Sequence, residues 1–264
     1  MERTPLVLIH GFSGTPVMWE PVTPLLEEHH DLLVTTIAGH CGGAALADGV
    51  ACGVAALADD LEAQMDAAGI ETAHVCGNSL GGWLALELAV RGRARSVVAI
   101  APAGGWEPGS PEEKRLKPYF MRNYRALKFA GDRVDALAKR PGLRKLALRD
   151  ISTHPERYSA RQARDIMRGA QDCPIYLDLM EAILHDGPPK AFEGIACPTR
   201  IVWGTADRVI SHSRYARRLR DMVPDADYVE LEGLGHCPMV DDPALVARTI
   251  LDVTAAPVRE GATA

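Results

Sequence analysis

The 264-residue chain has six cysteines, at positions 41, 52, 76, 173, 197 and 237, yet no Cys-x-x-Cys pair and no regular spacing. A chain of this length needs no stapling, so a disulfide framework is excluded and the thiols are expected to be reduced in a cytoplasmic protein. No His-x-His or His-x-x-x-His spacing occurs among the nine histidines, and the usual helical metal signature is therefore missing. Gly-x-Gly-x-x-Gly is absent too, which leaves a dinucleotide cofactor without a seat, and no cofactor is expected. Long apolar runs are lacking: the N-terminal one extends only from Leu6 to Ile9, too short for a signal peptide or a membrane span. Positive charge is also in deficit, 29 Lys and Arg against 35 Asp and Glu for a net charge of -6, so neither a nucleic acid nor a membrane is expected as partner. The partner to expect is a small-molecule substrate.

With 47% hydrophobic residues the chain can bury one substantial core. Short continuous apolar runs, "LVLI" at 6–9, "DLLVTTI" at 31–37, "AHVC" at 73–76 and "SVVAIAP" at 96–102, read as strands covered on both faces, as in a parallel sheet. Between them Val54, Leu57, Leu61 and Met65 recur at helical spacing up to Gly69, a natural helix stop. From about Gly104 to Lys190 the pattern becomes helical, with 17 Lys and Arg against 12 Asp and Glu. "PTRIVWGTADRVI" and "DADYVELEGLGH" then resume the strand style. The predicted organisation is a core in two parts, 1–103 and 191–264, split by a helical cap at 104–190.

"HVCGNSLGGW" places Ser79 where a strand runs into a helix. A reversal that sharp crowds the corner residue, and only small residues two positions before and after it leave room; Gly77 and Gly81 supply it. The corner side chain is then thrust out above the sheet, at the N-terminus of the following helix. A serine hydroxyl needs a base, and the base needs a group that orients it. "LEGLGHCPM" offers His236 after the last strand-like run, and "WGTADRVI" offers Asp207 after the preceding one. A rival position for the acid, after "VVAIAPAGG", holds no carboxylate. The order Ser79, Asp207, His236 is the one expected when all three project from the carboxyl edge of one parallel sheet.

The negative charge of a tetrahedral intermediate requires amide donors, and "LVLIHGFSGTP" supplies a turn after a strand. The backbone N–H groups of Phe12 and Leu80 are the predicted oxyanion hole, with His10 and Gly11 in support. His40 in "IAGHCGG" is expected to order a loop, His29 and His30 to be solvated, and Cys76, Cys237, Trp83 and Trp203 to serve as core. Phe120, Tyr124 and Leu127, and likewise Ile175, Leu179, Met180 and Ile183, form apolar faces that dock the cap or line a pocket.

Together "HGFSGTP", "GNSLGG", "WGTADRVI" and "GLGHCPMVDDP" resemble the α/β-hydrolase fold family over residues 1–103 and 191 to about 253. The resemblance implies an α/β fold with a mostly parallel eight-stranded sheet flanked by helices, an inserted helical cap, and a catalytic triad of Ser79, His236 and Asp207. Carboxylic ester hydrolysis is the activity it implies first, with thioester, lactone, amide and perhydrolysis variants open. "GNSLGG" is also similar to the elbow of enzymes that hydrolyse carbon-carbon bonds, but there a tryptophan follows the histidine, and here "CPM" does. Epoxide and haloalkane hydrolases of the fold carry aspartate where Ser79 stands. A non-hydrolytic lyase or a small-ligand receptor on the same triad remains the alternative class.

Overall fold

A computed structural model describes residues 3–255. Six parallel strands form one sheet: β1 (Pro5–Ile9), β2 (Asp31–Val34), β3 (Ala73–Asn78), β4 (Ala94–Ile100), β5 (Thr199–Gly204) and β6 (Asp227–Leu231), in the order β2-β1-β3-β4-β5-β6. The expected count of eight is therefore corrected to six among the described residues. Eight was implied by the family resemblance; the strand-like segments read from the sequence, four apolar runs and two later segments, number six, and only residues 3 and 4 precede β1 in the described chain.

Alternation along the strands divides two cores. Val7, Ile9, Val75, Val97, Ala99, Ile201 and Trp203 pack on one face beneath α2 (Val54–Ala67), α3 (Leu80–Val90) and α9 (His212–Met222). Leu6, Leu8, Cys76, Val98, Ile100 and Val202 pack on the other, against Trp19, α1 (Thr23–Leu26) and α11 (Pro243–Thr254). Burial on both faces explains why the central strands read as continuous apolar runs, while the edge strands β2 and β6 are only partly buried. The predicted helix after Val54 forms, burying Leu57, Leu61 and Met65, and Gly69 follows it at φ +71.

Between β4 and β5 the chain builds α4 (Pro111–Ala130), α5 (Val134–Lys139), α6 (Pro141–Leu148), α7 (Ala160–Gln171) and α8 (Tyr176–Asp186). Val134, Ala138, Leu148, Tyr158, Ala163 and Met167 form a small core of their own, which Val240 of α10 (Pro238–Asp241) also enters. Leu179 and Ile183 of α8 join the main core instead. All six cysteines are free, and no helix among the described residues is long and apolar enough to cross a membrane.

Candidate active site

Sheet order determines which loops meet. β1 and β3 are neighbours, with Ile9 opposite Gly77, so the loop after β1 lies beside the turn after β3. β5 and β6 are neighbours, with Gly204 opposite Leu231, which brings the loops holding Asp207 and His236 together. All four loops leave the carboxyl edge of the sheet, where parallel α/β sheets build their sites.

Ser79 has φ 58 and ψ -118, a conformation that L-residues other than glycine rarely adopt. The turn tolerates no bulk around it: a Cβ on Gly77 would lie 1.9 Å from the Gly81 carbonyl oxygen, and one on Gly81 would lie 2.3 Å from that of Ile9. The Ser79 carbonyl accepts from Gly82, Trp83 and Ala103 N–H at 2.9, 3.2 and 2.9 Å, starting α3 and fastening the next loop to the same corner.

His236 Nδ1 is 2.8 Å from Asp207 Oδ2, and both side chains are buried. Asp207 Oδ1 accepts from the N–H groups of Val209 and Ile210 at 2.8 and 3.0 Å, so one oxygen is anchored in its own turn while the other holds the imidazole. With Nδ1 carrying the shared proton, Nε2 is left as an acceptor. Ser79 is itself 8% exposed, and its Oγ makes no hydrogen bond to the imidazole in this structure.

The predicted oxyanion donors belong to two segments next to Ser79: Leu80 follows it in the chain, and Phe12 follows Gly11, which packs against it. Leu80 is the first residue of α3, where an N–H has no intrahelical partner, and the Phe12 N–H likewise donates to no protein acceptor among the described residues. A Cβ on Gly11 would lie 3.0 Å from Ser79 Cβ and 3.6 Å from its Oγ, a measure of how closely this loop covers the serine. His10 buttresses the loop from below. Its Nε2 accepts the Ile37 N–H at 3.1 Å and its Nδ1–H donates to the Gly11 carbonyl at 2.9 Å, where Gly14 N–H also donates. Complete burial, with His40 nearby, lowers the His10 pKa to about 3, so the ring is neutral in this one tautomer.

His40 donates from Nδ1 to the Ala38 carbonyl at 3.2 Å, and its ring stands edge-on to His10 and Phe12. Burial lowers its pKa to about 4. Above the loop, the Phe12 ring meets Phe120 of α4 at 5.2 Å and Tyr176 of α8 at 4.7 Å between centroids, while Tyr124 stacks on Tyr176 at 4.4 Å.

The remaining expectations divide. Cys76 and Cys237 are buried, and burial pushes both thiols well up, so neither offers a thiolate. Trp83 and Trp203 lie in the core, the latter donating to the Ile210 carbonyl at 2.9 Å. His30 is not solvated as expected: its ring is buried, with Nδ1 at 3.0 Å from the Thr4 carbonyl and Nε2 at 2.9 Å from Thr254 Oγ1. The adjacent acidic turn hid the fact that α11 folds back over this position.

Two residues escaped the sequence reading. Asn78 is fully buried behind Ser79, and Asp241 is a buried carboxylate beside the His236 loop. Two aspartates stand together before α11. Asp242 caps that helix, accepting the Leu245 N–H at 2.9 Å, which leaves Asp241 free to turn inward.

Comparison with known proteins agrees with this architecture. Residues 6–249 match the model of the Alpha/beta hydrolase family. The chain is 39% identical over 197 residues to "Epoxide hydrolase EphH" of Mycobacterium tuberculosis (strain ATCC 25618 / H37Rv), covering 74% of this chain and 92% of that protein. It is 26% identical over 245 residues to "Lipase 3" of Moraxella sp. (strain TA144), covering 90% and 73%. Among solved structures, a thermophilic esterase from Thermogutta terrifontis superposes with a TM-score of 0.70 at 22% identity, covering 96% of this chain and 90% of that one. The parallel sheet, the loops at its carboxyl edge and these matches agree: the chain is a hydrolase belonging to the α/β-hydrolase family.

Proposed function

We propose that the protein is a serine hydrolase that cleaves a carboxylic ester, or a related acyl bond, of a small apolar substrate through an acyl-enzyme on Ser79. The observation that carries this reading is the buried His236–Asp207 hydrogen bond at 2.8 Å, set at the same sheet edge as a serine in a strained corner. His236 Nε2 removes the Ser79 proton as Oγ attacks the acyl carbonyl. Asp207 holds the Nδ1–H tautomer and stabilises the imidazolium. The Phe12 and Leu80 N–H groups receive the oxyanion. Collapse of the tetrahedral intermediate expels the alcohol, which takes the proton from His236. Water, deprotonated by His236, then attacks the acyl-enzyme and releases the acid with Ser79 restored. Residues 104–190 act as a cap in this reading, supported by the seating of Phe120 and Tyr176 on Phe12.

The 39% identity to a protein named epoxide hydrolase favours a second reading. Bond chemistry opposes it at Ser79. Opening an epoxide with a carboxylate leaves an ester whose carbonyl water can attack; opening it with a serine leaves an ether, which has no such carbonyl and cannot turn over. Hydrolysis of p-nitrophenyl acetate and butyrate, lost in Ser79→Ala, together with a fluorophosphonate label on the Ser79 peptide, is the expected outcome. Turnover of a terminal epoxide that survives Ser79→Ala, with no ester activity, would replace the acyl reading by the epoxide one.

A further inference from the structure

Asp241 is 1% exposed, and no Lys, Arg or His side chain pairs with its carboxylate among the described residues. A buried, unpaired anion is costly unless its oxygens are fully hydrogen-bonded. Here four donors converge on it from two separate segments. Oδ1 accepts from the Ser152 hydroxyl and from the His154 N–H at 3.0 Å; Oδ2 accepts from the Thr153 N–H at 3.2 Å and the Gly235 N–H at 2.8 Å. Gly235 immediately precedes His236. On the far side of the histidine, Cys237 N–H donates to the Ile151 carbonyl at 2.7 Å. The packing leaves no slack, since a Cβ on Gly235 would lie 3.0 Å from Ser152 Cα and 3.1 Å from Asp241 Oδ2.

We propose that Asp241 is a positioning residue for His236: its carboxylate locks the amide before the imidazole to the 151–154 turn of the helical segment, and so determines where Nε2 stands relative to Ser79. The proposal rests on the reading of His236 as the base. Asp207 sets the ring's tautomer through Nδ1, Asn78 holds the His236 carbonyl at 2.9 Å, and Cys237 N–H holds the chain after the ring. Asp241 fixes the one remaining side, the Gly235 amide before the imidazole. It also makes the position of the base depend on the inserted segment, because the turn at 151–154 lies between α6 and α7.

Asparagine at 241 keeps the shape but turns an NH2 group toward two of the four donors. A displacement of about 1 Å in a reacting group costs about 100-fold. Active-site titration of the full-length protein with a fluorophosphonate separates rate from the fraction of competent sites. For Asp241→Asn the expected result is full stoichiometry, a per-site labelling rate and kcat lowered about 30- to 100-fold, and KM for p-nitrophenyl butyrate within about twofold of wild type. Ser152→Ala, which removes one donor and leaves the carboxylate in place, is expected to slow per-site labelling about fivefold. Fewer labelled sites reacting at the wild-type rate would assign Asp241 to folding alone and overturn the proposal. So would wild-type per-site rates in both variants, or in Ser152→Ala alone if Asp241→Asn does not fold. An unlabelled wild type, or ester turnover surviving Ser79→Ala, overturns the triad reading and this proposal with it; a labelled wild type with unaffected variants overturns this proposal alone.

Discussion

Asn78 and His236, 158 positions apart in the chain, are joined by a hydrogen bond of 2.9 Å from Asn78 Nδ2 to the His236 carbonyl oxygen. The same amide group donates to the Ile100 carbonyl at 3.2 Å, and Asn78 Oδ1 accepts from the Cys237 thiol at 3.5 Å. β4 and β5 lie between β3 and β6, so this side chain is the direct tie between the turn that holds Ser79 and the loop that holds His236. Asn78→Asp keeps the volume and removes both donors, leaving a buried carboxylate facing two carbonyl oxygens. We expect a loss of about 3 kcal/mol or more in unfolding free energy, read from the denaturant midpoint, and a fall in kcat in whatever fraction folds. Wild-type values for both would mean that the tie is dispensable.

Gly11 offers a sharper separation of fold from activity. Its backbone is not in the left-handed region, so alanine is conformationally acceptable there. The added Cβ would nevertheless press on Ser79 Cβ at 3.0 Å and shift the adjoining amide of Phe12, the proposed oxyanion donor. Loss of one oxyanion donor costs about 100- to 1000-fold in kcat. Gly11→Ala is expected to unfold within a few degrees of wild type while losing ester turnover on that scale. Unchanged turnover would remove Phe12 from the oxyanion role.

How much of this could be read from the residues depends on whether the interaction is local. Gly77, Ser79 and Gly81 announce their turn because the pattern fits within five consecutive positions, even though the bulk excluded at Gly81 is set by the Ile9 carbonyl of the neighbouring strand. The central strands β1, β3 and β4 are legible because burial on both faces makes each a near-continuous apolar run, whereas the edge strands β2 and β6 are only partly buried. Asp207 and His236 could be placed at strand ends, but the pairing of β5 with β6 that joins them is a property of the sheet order. Asn78, Asp241 and Ser152 carry no such local mark. Asn78 meets the His236 carbonyl 158 positions away and Asp241 meets Ser152 89 away, and a buried asparagine in "GNS" or an aspartate in "VDDP" looks like any turn or cap residue. His30 failed for the same reason, its burial being supplied by Thr254 at the far end of the chain.

Asp207 has two separable tasks, since Oδ1 anchors the turn through Val209 and Ile210 and Oδ2 holds His236. Asp207→Asn can keep the first by presenting its carbonyl oxygen to the two amides. Its NH2 group then faces Nδ1, and the imidazole turns to the tautomer with a proton on Nε2, where a lone pair is needed. In a comparable triad this exchange costs about 10⁴ in kcat. A near-native melting temperature with that loss, measured on p-nitrophenyl butyrate, is the expected outcome; a loss below about tenfold would exclude Asp207 as the orienting acid.

His10 and His40 make the stability of the protein dependent on pH in a definite direction. Burial holds both rings neutral in the folded chain, with pKa values of about 3 and about 4. In the unfolded chain each titrates near its ordinary value of about 6.5. Above that value neither state binds the proton and the two histidines contribute no pH dependence. Below it the unfolded chain takes up protons that the folded chain refuses, so stability falls as pH drops from about 6.5 toward about 4, at a limiting slope of about 1.4 kcal/mol per pH unit for each ring. His40→Gln removes one titrating group while keeping a donor for the Ala38 carbonyl. Denaturant unfolding at half-unit intervals from pH 7 to pH 4.5 should show the slope reduced by about that amount in the variant. An identical slope in both proteins would mean that His40 is protonated in the folded state, and that the loop carrying Phe12 packs against a charged ring rather than a neutral one.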